Sequence, residues 1–251
     1  AAQRRLEATT TSAFEALLTL LNAWRPNDGQ DISTWAKWEA FAPHAEAVFD
    51  RTERRQDPES ALGLLANFAG FETCRNAAYA RAEPLMRRAL AGSEREFGPD
   101  ATHTLTSVNN LGFLLQTRGD LDGAEPLFRR DLEASERVLG PEHPATLISV
   151  NNLGLLLQER GDLDGAEPLY RRALEASERV LGPEHPDTLS SVNNLGFLRY
   201  LRGDMDGAEP LYRRAYEGCQ QSLGDDHPTT KIYRRNWEIC VAEMKEKSGE
   251  E

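Results

Sequence analysis

Lysine is nearly missing from this chain. Of 29 basic residues only Lys37, Lys231, Lys245 and Lys247 are lysine, and 41 acidic residues bring the formal net charge to −12. That balance excludes the basic footprint of a nucleic-acid binder and offers nothing to an anionic membrane surface. Cysteine is scarce too: Cys74, Cys219 and Cys240 are odd in number and form no CxxC pair. This points to a reducing, cytoplasmic compartment. No apolar run approaches the roughly 20 residues that span a bilayer, and no signal peptide opens the chain. Nothing like GxxxxGK[ST] occurs, so this piece carries no P-loop nucleotide site. The chain begins at Ala1 rather than Met, as a fragment of a longer protein would.

What is present is a repeat. The string SVNNLG begins at Ser107, Ser149 and Ser191, a spacing of 42 residues. Extending the period backward aligns Asn67 in LLANFAGF, and extending it forward aligns Arg235 in HPTTKIYRRNWEICVAEM. The period defines units at 59–100, 101–142, 143–184 and 185–226, followed by a half unit. A period of this size marks a stacked-repeat architecture.

Each unit reads as two helices. In the third, Ala166, Leu169, Tyr170, Ala173, Leu174, Ser177, Val180 and Leu181 recur at helical steps, with Arg171, Arg172, Glu175, Glu178 and Arg179 opposite. The first helix carries Leu147, Val150, Leu153, Gly154 and Leu157 on one face. Gly154 suits a close approach of two helices. In the turn Arg160-Gly161-Asp162, the glycine can leave the first helix in a left-handed conformation. Either Asp162 or Asp164 can cap the second helix, and Asp164 with Glu167 has capping-box spacing. Pro168 falls within the first two turns, Gly182-Pro183 stops the helix, and Pro186 suits the first turn of the next. One such hairpin cannot bury its apolar face alone, so stacking explains the repetition.

The string NNLG followed by GDLDGAEPLYRRALEASERVLGPEHPDT resembles the tetratricopeptide repeat, in the 42-residue form of kinesin light chains. Leu153, Gly154, Ala166, Tyr170 and Ala173 meet its pattern. The second unit departs at Asp131, where alanine is expected, and the first lacks the Gly-Asp turn. The expected fold is therefore an all-α, right-handed tetratricopeptide-repeat solenoid over residues 57–246. A capping helix at 228–246 closes it, marked by Trp237 and Glu238 at the places of Leu153 and Gly154, and residues 247–251 form a polar tail. Residues 1–56 lie outside the period and read as an N-terminal helical cap. Trp35 and Trp38 followed by Pro43-His44 resemble the segment before the repeats in bacterial NB-ARC-type signalling ATPases, where the repeats act as a sensor.

No catalytic set assembles, and no enzyme is expected. RGD recurs at Arg118, Arg160 and Arg202, at one phase of the repeat, and reads as turn chemistry rather than an adhesion motif. His143, His185 and His227 each precede proline. Stacked helices stand roughly 8–10 Å apart, whereas zinc ligands must meet within about 2.1 Å of one ion, so these are loop residues and no metal or cofactor is expected. Most carboxylates lie on the outer face of second helices, where Arg171 with Glu175 and Glu175 with Arg179 have pairing distance.

One stripe remains on the first helices, at i, i+3, i+7 and i+10. It reads Leu64, Asn67, Phe71, Cys74; Thr106, Asn109, Phe113, Gln116; Ile148, Asn151, Leu155, Gln158; and Ser190, Asn193, Phe197, Tyr200. The half unit continues it with Ile232, Arg235, Ile239 and Ala242. An asparagine offers both a donor and an acceptor to a peptide backbone, and neighbouring Phe and Leu offer apolar pockets. Arg235 and Arg199 could receive a carboxylate. The resemblance implies that this face lines a concave groove, that kinesin light chains bind acidic cargo peptides there, and that asparagines at the places of Asn109, Asn151 and Asn193 contribute. The second asparagines, Asn110, Asn152 and Asn194, have the phase of the adjacent helix. The partner expected is a protein or extended peptide in the groove, with other domains of a parent signalling ATPase as further partners. The alternative is a scaffold whose repeats self-associate without a dedicated ligand.

Overall fold

The computed structural model describes residues 79–248. The N-terminal segment 1–56, the first helix of the first unit with Leu64, Asn67, Phe71 and Cys74, and residues 249–251 lie outside the described residues. The described residues form helices and turns only. In order they are α1 (Tyr79–Phe97), α2 (Thr102–Thr117), α3 (Leu121–Leu139), α4 (Pro144–Glu159), α5 (Leu163–Val180), α6 (Pro186–Leu201), α7 (Met205–Leu223) and α8 (Pro228–Ser248). The chain divides into two compact units, Ala1–Leu127 and Phe128–Glu251, parting within α3.

The turns explain the helix boundaries. Gly161 and Gly203 follow the first helices at φ 83° and 77°, a region that favours glycine. Of the two capping aspartates open at Asp162 and Asp164, the structure uses the first. Asp162 accepts from the Gly165 N–H at 2.9 Å, and Asp204 does the same from Gly207. The second glycine is required by this cap, since a Cβ on Gly165 would stand 2.4 Å from Asp162 Oδ2. Asp164 points out instead and pairs with Arg202 at 2.6 Å. The prolyl histidines are helix caps: Nδ1 of His143, His185 and His227 accepts the N–H two residues on, each at 3.2 Å. Each imidazole is therefore read as the neutral tautomer that carries its proton on Nε2. The place of His143 is taken by Ala101 at α2, which makes no side-chain cap.

In the second unit the hairpins close on aromatic side chains. Tyr170 is fully buried against Gly154, where a Cβ would meet the ring at 2.8 Å, and Tyr212 packs on Gly196, where the gap is 3.2 Å. Burial of a ring this size stabilises by about 2–3 kcal/mol. It also pushes the Tyr170 phenol up from its ordinary pKa. Leu147, Val150, Leu153 and Leu157 are buried as the periodicity requires, and so are Ala166, Ala173 and Ser177. Val180 is not: it is the last residue of α5 and stays exposed, while Ala176 is buried in the helix body. Asp131 sits buried where Ala173 and Ala215 stand in the next two repeats. Its carboxylate accepts from Ser149 Oγ at 2.6 Å, and burial raises its pKa against that bond.

The helix α8 runs to Ser248. Thr230, Tyr233 and Cys240 are buried, and Tyr233 joins Leu189, Val192, Ala215 and Cys219 in one cluster. Trp237 stacks on Tyr216 at 5.7 Å and donates to Glu209 at 2.9 Å, while Glu238 is exposed.

Candidate functional site

The first helices of the second unit, α4, α6 and α8, are tied directly to one another. Asn151 Nδ2 on α4 donates to Ser191 Oγ on α6 at 2.9 Å. Asn236 Nδ2 on α8 donates to Asn193 Oδ1 on α6 at 3.0 Å. Ser190 bonds the Tyr233 hydroxyl at 2.9 Å, and Tyr200 donates to Glu243. That carboxylate acceptor raises the Tyr200 pKa. The three helices therefore share a wall, and the stripe identified in the sequence lies along it.

Most of its apolar members face solvent. Ile148, Phe197, Ile232 and Ile239 are 46%, 38%, 56% and 41% exposed, and Leu155 is half-buried. In the first unit Phe113 on α2, at the phase of Leu155 and Phe197, is 55% exposed, and Asn109 is half-buried. Phe197 stacks on Tyr200 at 6.3 Å between ring centres. Four large side chains are thus left in water at fixed phases on one wall, while Leu147, Leu153, Leu189 and Leu195 of the same first helices are buried.

The amides are placed differently from the simplest expectation. Asn151 and Asn193 are half-buried and each spends part of its side chain on the following first helix. Asn151 Oδ1 is buried and accepts nothing. By contrast Asn110 and Asn194, whose phase suggested the adjacent helix, make no side-chain hydrogen bond among the described residues. Gln116 and Gln158 are almost wholly buried, each with an unpartnered Oε1. Gln158 lies in the wall rather than on its surface. Ser191 and Asn236 were not singled out from the sequence, and Asn236 could have been, since it repeats the place of Asn152 and Asn194 two and one units earlier.

The basic residues divide as sharply. Arg199 donates to Asp204 at 2.8 Å and lies 3.7 Å from Glu167. The Arg199 bond, then the Gly207 N–H, hold the Asp204 carboxyl below its ordinary pKa. Arg202 of the third RGD bridges Asp164 and Glu167 of the preceding hairpin, and in the first unit Arg118 of the first RGD reaches Glu83 in the same way. The tripeptide is thus a joint between repeats. Arg171 bonds Glu167 at 2.7 Å and Arg179 reaches Glu142, so the pairing expected through Glu175 does not form. For Arg171 the glutamate four residues N-terminal is the better-placed helix partner, whereas Arg179, with Glu175 at that same spacing, turns instead to Glu142 before α4. Arg235 is exposed, and no hydrogen bond or ion pair engages it among the described residues.

Among the described residues no cluster of His, Cys, Asp or Glu is arranged to hold a metal ion, and no helix is long and apolar enough to cross a membrane. The profile of the tetratricopeptide repeat matches residues 59–134, 103–179, 148–219 and 187–247. The chain belongs to the tetratricopeptide repeat family. Solved structures agree on the fold. BtubC (BKLC) from P. vanneervenii shares 21% identity over 91% of this chain and 94% of its own, at a TM-score of 0.65. A Podosopora anserina kinesin light chain with nearly identical TPR-like repeats shares 19% over 85% of this chain and 98% of its own, at 0.65. A Rap protein complexed with competence and sporulation factor shares 13% over 87% of this chain and 62% of its own, at 0.63. No curated protein sequence matches the chain. The all-α tetratricopeptide-repeat solenoid is the architecture these likenesses share with the helix order of this chain.

Proposed function

We propose that this tetratricopeptide module binds an extended segment of a protein partner along the wall formed by α4, α6 and α8. The observation that carries this reading is the row of solvent-exposed Ile148, Phe197, Ile232 and Ile239 at fixed phases of consecutive first helices. Apolar side chains so placed offer anchoring pockets, and the half-buried Asn193 between them offers a peptide backbone the Nδ2 donors that its Oδ1 bond to Asn236 leaves over. Tetratricopeptide repeats generally bind proteins or peptides, and one similar structure is a Rap protein in complex with competence and sporulation factor. In the intact protein we assign the module the part of ligand sensor for a bacterial signalling ATPase, on the strength of the Trp35, Trp38 and Pro43-His44 pattern ahead of the repeats.

The test is capture from a synthetic peptide library by wild type, Phe197→Ala, Asn193→Ala and, as an off-wall control, Arg213→Ala. Loss of a central aromatic anchor is expected to weaken capture about tenfold or more, and the control is expected to match wild type. Unchanged capture by both wall variants rejects the assignment. So does a scattering mass that climbs with concentration while no peptide is retained, because the repeats are then a self-associating scaffold.

A further inference from the structure

A second site lies away from the wall, where α7 begins and α8 ends. The joints between repeats show what it is built to hold. In the first unit Glu83 of α1 receives Arg118, the residue that follows α2. In the second unit Asp164 and Glu167 of α5 receive Arg202, the residue that follows α6. One repeat later Asp206 and Glu209 stand at the places of Asp164 and Glu167, but Met244 takes the place of Arg202 and Val241 that of Arg199. The acidic half of the joint is kept and its arginine is not.

A cavity of about 690 Å³ opens at this point, bordered by Met205, Asp206 and Glu209 of α7 and by Val241 and Met244 of α8. Glu209 is set as its counterparts are: its side chain is 21% exposed, against 19% for both Glu83 and Glu167. Its Oε1 accepts from Trp237 at 2.9 Å, and Arg213 of the same helix lies 3.7 Å from that oxygen. On Glu167 the Oε1 is held by Arg171, and the Oε2 receives Arg202. Charge alone does not select the occupant, because Lys245 and Lys247 also border the cavity. An ammonium is a compact, strongly hydrated point charge, whereas a guanidinium is planar, weakly hydrated and able to lie on apolar surface. The two methionines and the valine provide that surface.

We propose that this cavity binds an arginine presented by a partner protein at the end of a helix, with the guanidinium on Glu209 and Asp206 and an adjacent apolar side chain on Met205 and Met244. The partner supplies to α7 what Arg202 supplies to α5. The site is independent of the wall formed by the first helices, so one can be occupied or lost without the other.

The probe is an acetylated and amidated peptide copying residues 198–205, in which Arg202 follows the last helical turn, alongside forms with Arg202→Lys and Arg202→Gln. The chain holds three methionines, Met86, Met205 and Met244, so a methyl NMR titration reports position and affinity together. The peptide is expected to move the Met205 and Met244 signals and to leave that of Met86 on α1 in place. The Arg202→Gln peptide should bind about threefold to fivefold more weakly. So should the original peptide on Glu209→Gln, whose remaining amide oxygen still accepts from Trp237. The Arg202→Lys peptide should fall between the two. Met244→Arg, which returns the chain's own guanidinium to the joint, should weaken the peptide further, read at Met205. The volume-conserving Met244→Leu and the wall variant Phe197→Ala should leave binding unchanged. Equal affinity for the arginine and glutamine peptides, or equal affinity of wild type and Glu209→Gln, overturns the inference. So does a titration that never moves Met205 and Met244. Peptide binding that spares both signals and falls in Phe197→Ala overturns it too, and leaves the binding wall standing.

Discussion

Helices α4 and α8 hold the same phase of the repeat two units apart, yet they bury different sides. On α4, Thr146, Ser149, Leu153 and Leu156 are buried, and so are Leu147, Val150, Gly154 and Leu157. On α8 the first set reads Thr230, Tyr233, Trp237 and Cys240, still covered or largely covered. The second set has become Lys231, Arg234, Glu238 and Val241. Lys231 and Glu238 are exposed, and Arg234 is turned to Asp225 and Tyr216. A first helix thus carries two separable faces. One is needed wherever a preceding hairpin exists. The other is needed only where a second helix packs behind it, as α5 does on α4 through Tyr170 and Gly154. The solvent-facing stripe is a third face, and it persists through both helices.

Exchanging residues between the two helices is the severest way to break that comparison. Gly154→Glu places on α4 the residue that α8 carries at this phase. Its Cβ alone would stand 2.8 Å from the Tyr170 ring, and its carboxylate would enter a packed site. The expected cost is about 4 kcal/mol or more, enough to unfold a marginal domain, read by urea denaturation with circular dichroism. The reverse change, Glu238→Gly, removes an exposed side chain from a helix and should cost only about 1 kcal/mol. Comparable losses from the two substitutions would show that α8 packs as α4 does and that the two-face account is wrong. Gly196→Ala should be milder than Gly154→Ala, since the gap there is 3.2 Å rather than 2.8 Å.

These features differ in how plainly they could be read before the structure. The hairpin boundaries were legible because they rest on local chemistry: a left-handed glycine, an aspartate cap, a proline at a helix start. Gly154 was legible as a point of close helix approach, but what fills it is the Tyr170 ring rather than a helix backbone. The wall was legible only as a stripe. From its first residue, steps of three, seven and ten residues turn about 60°, 20° and 80° off one line at 3.6 residues per turn. The asparagine and the residue at ten therefore stand together at one edge of the stripe, and on α4 that edge is where Gln158 is buried. Hydrogen-bond partners from other repeats were not legible at all. Asn151 finds Ser191 and Arg179 finds Glu142 through stacking distances that one chain's periodicity does not contain. The capping role of His143, His185 and His227 was missed for a different reason: an imidazole cap is a rarer choice than Ser, Thr, Asp or Asn.

A smaller effect sharpens the comparison between equivalent places on second helices. Asp131, Ala173 and Ala215 occupy one such place, and all three are buried. Burial raises the folded-state pKa of Asp131, with Ser149 opposing the shift. Its carboxyl therefore contributes most favourably below the unfolded value of about 3.9, and that contribution is lost as pH rises through the folded value. Asp131→Ala should accordingly stabilise the protein by about 1 kcal/mol near neutrality, with the gain shrinking toward nothing in acid. Ser149 keeps a second acceptor in the variant, the Ala145 carbonyl at 3.2 Å. Urea midpoints across pH provide the check, and a gain that does not vary with pH would assign it to packing instead.

The least effect is expected at the RGD joint, where turn and ion pair can be compared within one tripeptide. Gly203 and Asp204 act on the backbone, one by its positive φ and the other by capping α7 through Gly207. Arg202 acts only through side chains, on Asp164 and Glu167, and Asp164 is fully open to water. Solvent-exposed pairs of this kind contribute little, because water screens them and two long side chains must be held still. Arg202→Gln should therefore cost about 0.5 kcal/mol at low ionic strength, and the cost should fade at about 1 M salt, where the screening length drops to roughly 3 Å. Asp204→Ala should cost about 1 kcal/mol, and part of that loss should persist in salt, since a backbone hydrogen bond is removed along with the Arg199 contact. If the arginine variant proved the costlier of the two, the tripeptide would be an electrostatic clasp first and a turn second, and its recurrence at each hairpin would have to be explained by the charges rather than by the chain reversal.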